Sequence, residues 1–311
     1  MKESAPFCLF QILFVFLRQM SQTQESKEQM LDYCKSCSKE DKAELKKIKD
    51  FRNTYDRKKA VEWYTKDSFI YRLVNRALTR EPIYALYLLR FYITDSYLEI
   101  EGTKSTRSTE TTYRGQIISK EEIDMLNDNS KNVISVSSFF STTRNPLVTK
   151  RMIEEVANTE NLVCVLFEIE VNHKMKPNVC IDIHKYLGIT SEESEVLFNL
   201  GTVFKIKSVA FDDEIAAWKV NMVTTNGILD FQDYLKAYKT EITNINELFG
   251  SFFRAIGGHT TAEQYFQLML KNTDRSQEAT DIYDNIGDIK LEIMQLLSAL
   301  KHYKSAYEIR K

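Results

Sequence analysis

Three textures of apolar and polar positions succeed one another along the chain. From Ser26 to Asp95 apolar residues recur at helical spacing. Leu45, Ile48 and Phe51 stand among lysines, and Glu62-Trp63-Tyr64-Thr65 leads into Phe69, Leu73 and Ala77, with a further apolar-rich helix from Tyr84 to Tyr92. At Thr111 the pattern changes to short β-branched and aromatic runs bounded by Asn, Gly, Asp or Pro. These predict strands over 111–117, 133–140, 162–171, 179–183, 195–200, 203–211 and 215–223. Two helices interrupt them, one starting near Ser119 with Glu121 and Glu122 in its first turn. The other takes Asn145 as N-cap and Pro146 as its first helical residue. After Thr225-Asn226-Gly227 the strands cease, and 246–311 is helical again. Helices first and strands afterwards predict an α+β fold rather than a doubly wound one.

The last helical segment repeats itself with a period of about 37 residues. Gly250 aligns with Gly287, Phe249 with Ile286, Ala262 with Ala299, Phe266 with Tyr303, and Met269 with Ala306. The pattern resembles tetratricopeptide repeats with a lengthened turn. Two such units do not bury a core alone, so they are expected to lean on the preceding domain or to belong to a longer array. At the other end, Pro6 to Leu17 is the long apolar run of the chain and is too short to span a bilayer. It reads either as a signal-peptide core or as a helix whose packing partner lies outside this chain. Lys2 is offset by Glu3, and Arg18-Gln19-Met20-Ser21 lacks a small-residue cleavage site. A cytoplasmic location is the expectation, with secretion the alternative if residues 1–20 act as a signal. Membrane contact is not established by these features.

Composition narrows the chemistry. A length of 311 residues allows one large or two moderate domains. A formal net charge of −2 removes any global electrostatic case for nucleic acid as partner. Cys34-Lys35-Ser36-Cys37 has the spacing of half a zinc site, but no second pair or histidine cluster follows, so no metal is expected. The odd, sparse set of five cysteines fits a reducing compartment better than a disulfide framework. No G-x-G-x-x-G follows a predicted strand and no Walker loop exists, so a dinucleotide would not be held in Rossmann style.

Candidate chemistry gathers in three strand-borne motifs. Tyr113-Arg114-Gly115 places an arginine beside a glycine that lets a ligand approach the backbone. Ser138-Phe139-Phe140-Ser141-Thr142-Thr143 sets small hydroxyls just after aromatics. Glu193-Ser194-Glu195 runs into the apolar Val196-Leu197-Phe198. In an extended segment alternate side chains share a face, so Glu193 and Glu195 are expected on one side. Their repulsion is tolerable where water screens them or a cation meets them. Trp63 and the neighbouring tyrosines read as packing residues, though a rim aromatic near a pocket would look the same in sequence.

Arg, then Ser-Thr-Thr, then Glu-x-Glu, each on its own strand, closely resembles the arginine-specific mono-ADP-ribosyltransferases, whose R–S–E triad also occurs in some bacterial toxins. The resemblance covers roughly Glu25 to Thr225 and includes the upstream stretch Trp63-Tyr64-Thr65, Phe69, Leu73-Val74-Asn75 and Leu78. It implies a helical N-terminal region packed on a mixed or antiparallel split β-sheet core. The catalytic domain would occupy 26–226, between an apolar leader or truncated helix (1–25) and a helical linker with two repeats (227–311). It also implies transfer of ADP-ribose from NAD or NADP to an exposed arginine of a protein substrate, with a further protein partner on the repeats.

Site roles follow from the same resemblance. Loss of nicotinamide leaves positive charge on the ribose, which a fixed carboxylate stabilises, and this is assigned to Glu195. A guanidinium is protonated at neutral pH and a poor nucleophile. Glu193 is therefore placed to align it and take its proton. Arg114 offers a planar fork to the pyrophosphate or ribose, and Ser141 holds the ribose or orients Glu195. Gly115, Thr142, Thr143 and Phe140 (or Phe139) are implied around the dinucleotide, and Tyr186 in target recognition. Thr143 stands where many members of the family carry Ser, which keeps the hydroxyl and adds a methyl. The rival readings are an NAD glycohydrolase on the same scaffold and a non-catalytic repeat adaptor.

Overall fold

Side-chain caps mark the helix starts of the N-terminal layer. Thr23 and Ser26 form a reciprocal capping box at the head of α1 (Gln24–Cys37). The Asp41 carboxylate accepts from the Ala43 and Glu44 amides at the head of α2 (Lys42–Thr54). Short α3 (Ala60–Thr65), then α4 (Phe69–Thr79) and the long α5 (Ile83–Gly102), complete the layer. The structure is a computed structural model that describes residues 13–20, 22–38, 41–66, 68–79, 83–104, 108–128, 133–154, 161–174, 178–189, 194–225, 245–255, 258–271, 273 and 276–311.

Residues 13–19 are also helical and are built into the core. Phe16 lies 6.0 Å from Phe249 and 5.7 Å from Phe252, ring to ring. The Leu17 carbonyl accepts from the Thr94 hydroxyl at 3.3 Å. The described end of this apolar run, 13–17, therefore packs within the chain, which corrects the expectation of an outside partner for those residues. Residues 1–12, on which the signal-peptide reading rests, lie outside the described residues.

The strands are β1 (Thr109–Ser119), β2 (Val133–Ser135), β3 (Phe140–Thr143), β4 (Leu162–Asn172), β5 (Cys180–Asp182), β6 (Glu195–Phe198), β7 (Val203–Asp212) and β8 (Ala217–Thr225). They form one eight-stranded mixed sheet in the order β2-β7-β8-β4-β1-β3-β6-β5. Among the described residues only β4 with β8 is parallel. The predicted strand over 133–140 is two strands at different places in the sheet, β2 pairing β7 and β3 pairing β6. Its apolar letters do run continuously, but Val136 is already diverted to bond Thr202 and Gly201 of the β6–β7 turn. α6 (Lys120–Asp128) starts at Ser119, whose hydroxyl and amide exchange bonds with Glu122. α7 (Pro146–Glu154) is capped by the Asn145 amide oxygen on Leu147 N.

β1 and β3 meet through a single paired position, Tyr113 with Thr143, so β3-β6-β5 is nearly a separate sheet. Its two faces enter different cores. Leu197 and Ile181 pack into the cluster shared with the helices. Phe140, Val196, Phe198 and Cys180 pack against Phe167, Phe204, Val165 and Val220 of the larger sheet. A strand buried on both sides reads as a continuous apolar run, as Val196-Leu197-Phe198 does.

Behind the helical layer lie α9 (Ile245–Ala255) and α10 (His259–Lys271), followed by α11 (Ser276–Glu292) and α12 (Leu296–Arg310). Tyr87 of α5 meets Tyr265 edge-on at 4.8 Å, so the first pair leans on the N-terminal helices. The 37-residue register has a direct packing basis. A Cβ on Gly250 would sit 2.3 Å from Phe266 Cζ, and one on Gly287 would sit 2.6 Å from Tyr303 Cε1. In each pair a glycine of the first helix admits an aromatic ring of the second.

A buried polar knot closes the far end of the two sheets. Glu110 of β1 accepts from Arg144 and contacts His173 Nε2 at 2.7 Å, while Arg144 also bonds Asp182 at 2.8 Å. Burial works to raise the Glu110 carboxyl, but hydrogen bonds from His173 and Arg144 overcome it and hold it down at about 2.

Two stability predictions follow from this packing. Gly250→Ala gains about 1 kcal/mol of helix propensity but overpacks the fully buried Phe266 ring, which typically costs about 1–3 kcal/mol. A fall in the thermal midpoint of a few degrees is expected by calorimetry or circular dichroism. Glu110 contributes stability that is complete above the ordinary carboxyl range and is lost as pH falls towards about 2. Urea titrations between pH 6 and pH 3 should therefore show wild type losing more stability than Glu110→Gln, and parallel losses would refute the assignment.

Candidate active site

The end of β6 that carries Glu195 emerges where the helical layer, β3 and β1 converge. Register pairs Thr143 with Glu195 and Ser141 with Leu197, so Ser141, Glu195 and Leu197 share the helix-facing side. There the Ser141 hydroxyl donates to Glu195 Oε1 at 2.6 Å. Arg114 reaches the same point from β1, its Nη1 donating to the Ser141 carbonyl at 2.7 Å and its Nε to Gln116 Oε1 at 3.2 Å. The guanidinium lies over the Phe140 ring, 4.5 Å from its centroid. Burial pulls the Arg114 guanidinium below its ordinary value. The structure thus brings Arg114, Ser141 and Glu195 together from three strands.

These residues open into a cleft of about 580 Å³, whose other wall is helical: Tyr64, Thr65, Lys66, Tyr71 and Asn75 face Ser138 and Phe139. Its size suits a dinucleotide-class ligand. The Tyr64 ring stands 4.6 Å from that of Phe139 and 5.0 Å from that of Tyr71. Its hydroxyl donates to Asn75 Oδ1 at 3.0 Å, and burial pushes that hydroxyl up. Tyr64, Tyr71 and Asn75 were not singled out as site residues from sequence. Their one signal is a polar tip at helical spacing, which cannot say which side of the layer it will face.

Several expected contacts are placed elsewhere. Phe140 and Thr142 alternate with Ser141 and so point away from the cleft. Phe140 packs between the sheets against Phe167, Phe198 and Phe204, and the Thr142 hydroxyl donates to the Val196 carbonyl at 2.9 Å. Phe139, just before the strand, supplies the aromatic wall instead. Gly115 makes room for α7 rather than a ligand, since a Cβ there would sit 3.1 Å from Thr149 Cγ2. Thr143, paired with Glu195, shares the face of Ser141, but its hydroxyl accepts from the Asn145 amide at 3.0 Å, at the entry to α7.

Tyr186 belongs to α8 (Ile183–Leu187) and lines a second cavity of about 350 Å³ with Glu110, Arg144 and Asp182. Its one hydroxyl proton is shared between the Glu99 carboxylate and the Lys58 carbonyl, which ties it to the helical layer. Cys180 adds to that cavity a thiol whose donor atom lies within 4.8 Å of those of Glu110 and His173. A metal ion could bridge such a spacing, but the Arg144 guanidinium already neutralises the Glu110 carboxylate.

The expectation of one extended run from Glu193 holds only from Glu195 onwards. Ser194 has φ 44°, in the left-handed region, so strict alternation is not carried through it. Glu193 itself lies outside the described residues.

No family model matches the chain, and no curated protein does. Among solved structures it is similar to Vis toxin, an ADP-ribosyltransferase from Vibrio splendidus, at 23% identity over 69% of this chain and 91% of that one, with a TM-score of 0.43. The type III effector XopAI from Xanthomonas axonopodis pv. citri aligns at 14% identity over 70% and 90% of the two chains, TM-score 0.47. Exoenzyme S from Pseudomonas aeruginosa, in complex with human 14-3-3 protein beta and bound to Carba-NAD, aligns at 15% over 71% and 99%, TM-score 0.40. With every one of these superpositions below 0.5, a functional reading rests on the residues of the cleft.

Proposed function

We propose that the chain is an NAD-dependent ADP-ribosyltransferase that modifies arginine side chains of a protein substrate. The observation that carries this reading is the Ser141–Glu195 hydrogen bond of 2.6 Å, set beside Arg114 in an aromatic-walled cleft. A carboxylate held in one orientation by a neighbouring hydroxyl is suited to stabilising positive charge that develops at a fixed point.

NAD supplies an N-glycosidic bond whose cleavage places that charge on the ribose. Glu195 provides the compensating negative charge and accepts from a ribose hydroxyl. Ser141 spends its proton on Glu195 Oε1 and leaves Oε2 for the ligand. Arg114 is anchored through Nη1 and Nε, and its Nη2 is directed to a phosphate oxygen. Tyr64 and Phe139, whose rings stand 4.6 Å apart and are inclined at 56°, give an aromatic wall for a base. Glu193, two residues before Glu195, accepts the proton of the incoming guanidinium. No step calls for a metal. The helical pairs take a protein partner, for which Leu297 (86% exposed) and Leu300 (50%) offer apolar surface.

Glu195→Gln keeps the shape and an acceptor for Ser141 but removes the charge. Release of nicotinamide from labelled NAD should fall about 100-fold or more. Ser141→Ala should fall less, by about tenfold, because the charge survives while its orientation is lost. Glu193→Ala should lose transfer to an arginine analogue while keeping NAD hydrolysis. Identical profiles for Glu193→Ala and Glu195→Gln would refute this division of labour, and hydrolysis without any labelled acceptor in wild type would favour the glycohydrolase.

A further inference from the structure

The two helical pairs differ at the surface where each would receive a following helix. α11 is seated on the first pair through Ile282, Ile286 and Ile289, all buried, at i, i+4 and i+7. Charged contacts rim that seat. Arg254 Nη1 lies 2.7 Å from Asp288, His259 Nδ1 lies 3.3 Å from Glu292, and Glu263 lies 2.7 Å from Lys290. Arg254, His259 and Glu263 are thus positions at which the first pair receives the next helix.

Moved by the 37-residue period, these three positions become Leu291, Leu296 and Leu300. A leucine replaces each polar or charged residue, and the three are 48%, 58% and 50% exposed. Leu297 and Tyr307, also exposed, extend the stripe along α12 at helical spacing. Exposed leucines scattered singly are ordinary. Three together, at the positions of an existing helix seat, mark a second seat of different chemistry.

Charge selects the occupant. Lys304 follows Leu297 by seven residues and Leu300 by four, so it stands within the stripe, with Lys301 beside it. Both lysines are exposed, and neither forms an ion pair among the described residues. A second copy meeting this face with its own would bring these lysines together near the two-fold axis. A helix carrying carboxylates would neutralise them. α11 is itself such a helix, with five carboxylates and one lysine in 17 residues. The patch is also far smaller than the roughly 20–30 residues a side of a standard interface, which suits one helix rather than a folded domain.

We propose that the end of α11 and the start of α12 form a seat for an acidic amphipathic helix of a partner protein. That helix is held as α11 is held on the first pair, but with leucine contacts in place of the ionic rim. This rests on the reading of the helical pairs as a partner surface and not on the transferase chemistry, since its test needs no NAD.

The probe is a fluorescent synthetic peptide of residues 276–292 carrying Asp288→Leu, Lys290→Leu and Glu292→Leu, titrated with the full chain and read by anisotropy. Its three new leucines are those that would face Leu291, Leu296 and Leu300. Saturable binding with a Kd of about 1–100 μM is expected. The unmodified peptide should bind at least about tenfold more weakly, because its charges would be buried against leucines. Leu297→Asp combined with Leu300→Asp in the protein should weaken binding at least about tenfold, and Lys304→Glu about threefold or more. These side chains are exposed, so circular dichroism should show an unchanged thermal midpoint. No saturation by about 1 mM, or binding that the Leu297 and Leu300 substitutions leave unchanged, overturns the proposal. Self-association of the chain that those substitutions abolish also overturns it, and gives the face to a second copy.

Discussion

The pairing of β3 with β6 constrains everything around it. Each strand is only four residues long, and both faces are buried, one against the helices and one against the larger sheet. Every side chain on the pair must therefore be apolar, internally bonded or at an end that opens to solvent. Val196, Leu197 and Phe198 take the first course and Thr142 the second. Ser141 and Glu195 also take the second, bonding to each other at the mouth of the cleft. The hydroxyl–carboxylate pair of the cleft and a segment buried on both faces share the same two strands, so the packing of the fold also holds the pair in place.

The polar groups that surround this pair form two restraint systems. On one side Arg114, Ser141 and Glu195 are linked through hydroxyl, carbonyl and guanidinium. On the other, Glu110, Arg144, His173 and Asp182 join β1, β4 and β5 in a buried ionic knot. The Arg144 guanidinium lies between both carboxylates at close range, which favours their ionised form away from water. The helical pairs answer a different problem. They have too few residues to bury a core alone, and they solve it by stacking against α5 and the N-terminal run through Tyr265, Phe249 and Phe252.

Much of this was legible in the letters because the local signals agree with the final structure. Asn145-Pro146 caps a helix where expected, and the Glu-x-Glu-Val-Leu-Phe run contains a strand. Gly250 and Gly287 mark equivalent helix crossings. Where the reading failed, the missing information was three-dimensional. Phe139 and Phe140 are adjacent aromatics, and which of them faces the cleft depends on where β3 begins. Gly115 looked like space for a ligand and is space for α7. Tyr186 reads in sequence as a target-recognition residue, and its hydroxyl is engaged by the Glu99 carboxylate and the Lys58 carbonyl.

The sequence by itself determined the order of helices and strands, the helical repeat and the identity of the three polar motifs, because capping, periodicity and residue chemistry act over a few neighbouring positions. Tertiary structure alone decided that Tyr64, Tyr71 and Asn75 form the opposite wall, that residues 13–20 pack on α9, and that Arg144 stands between Asp182 and Ser194. Those placements depend on contacts between segments tens to hundreds of residues apart, and no local pattern encodes which faces will meet.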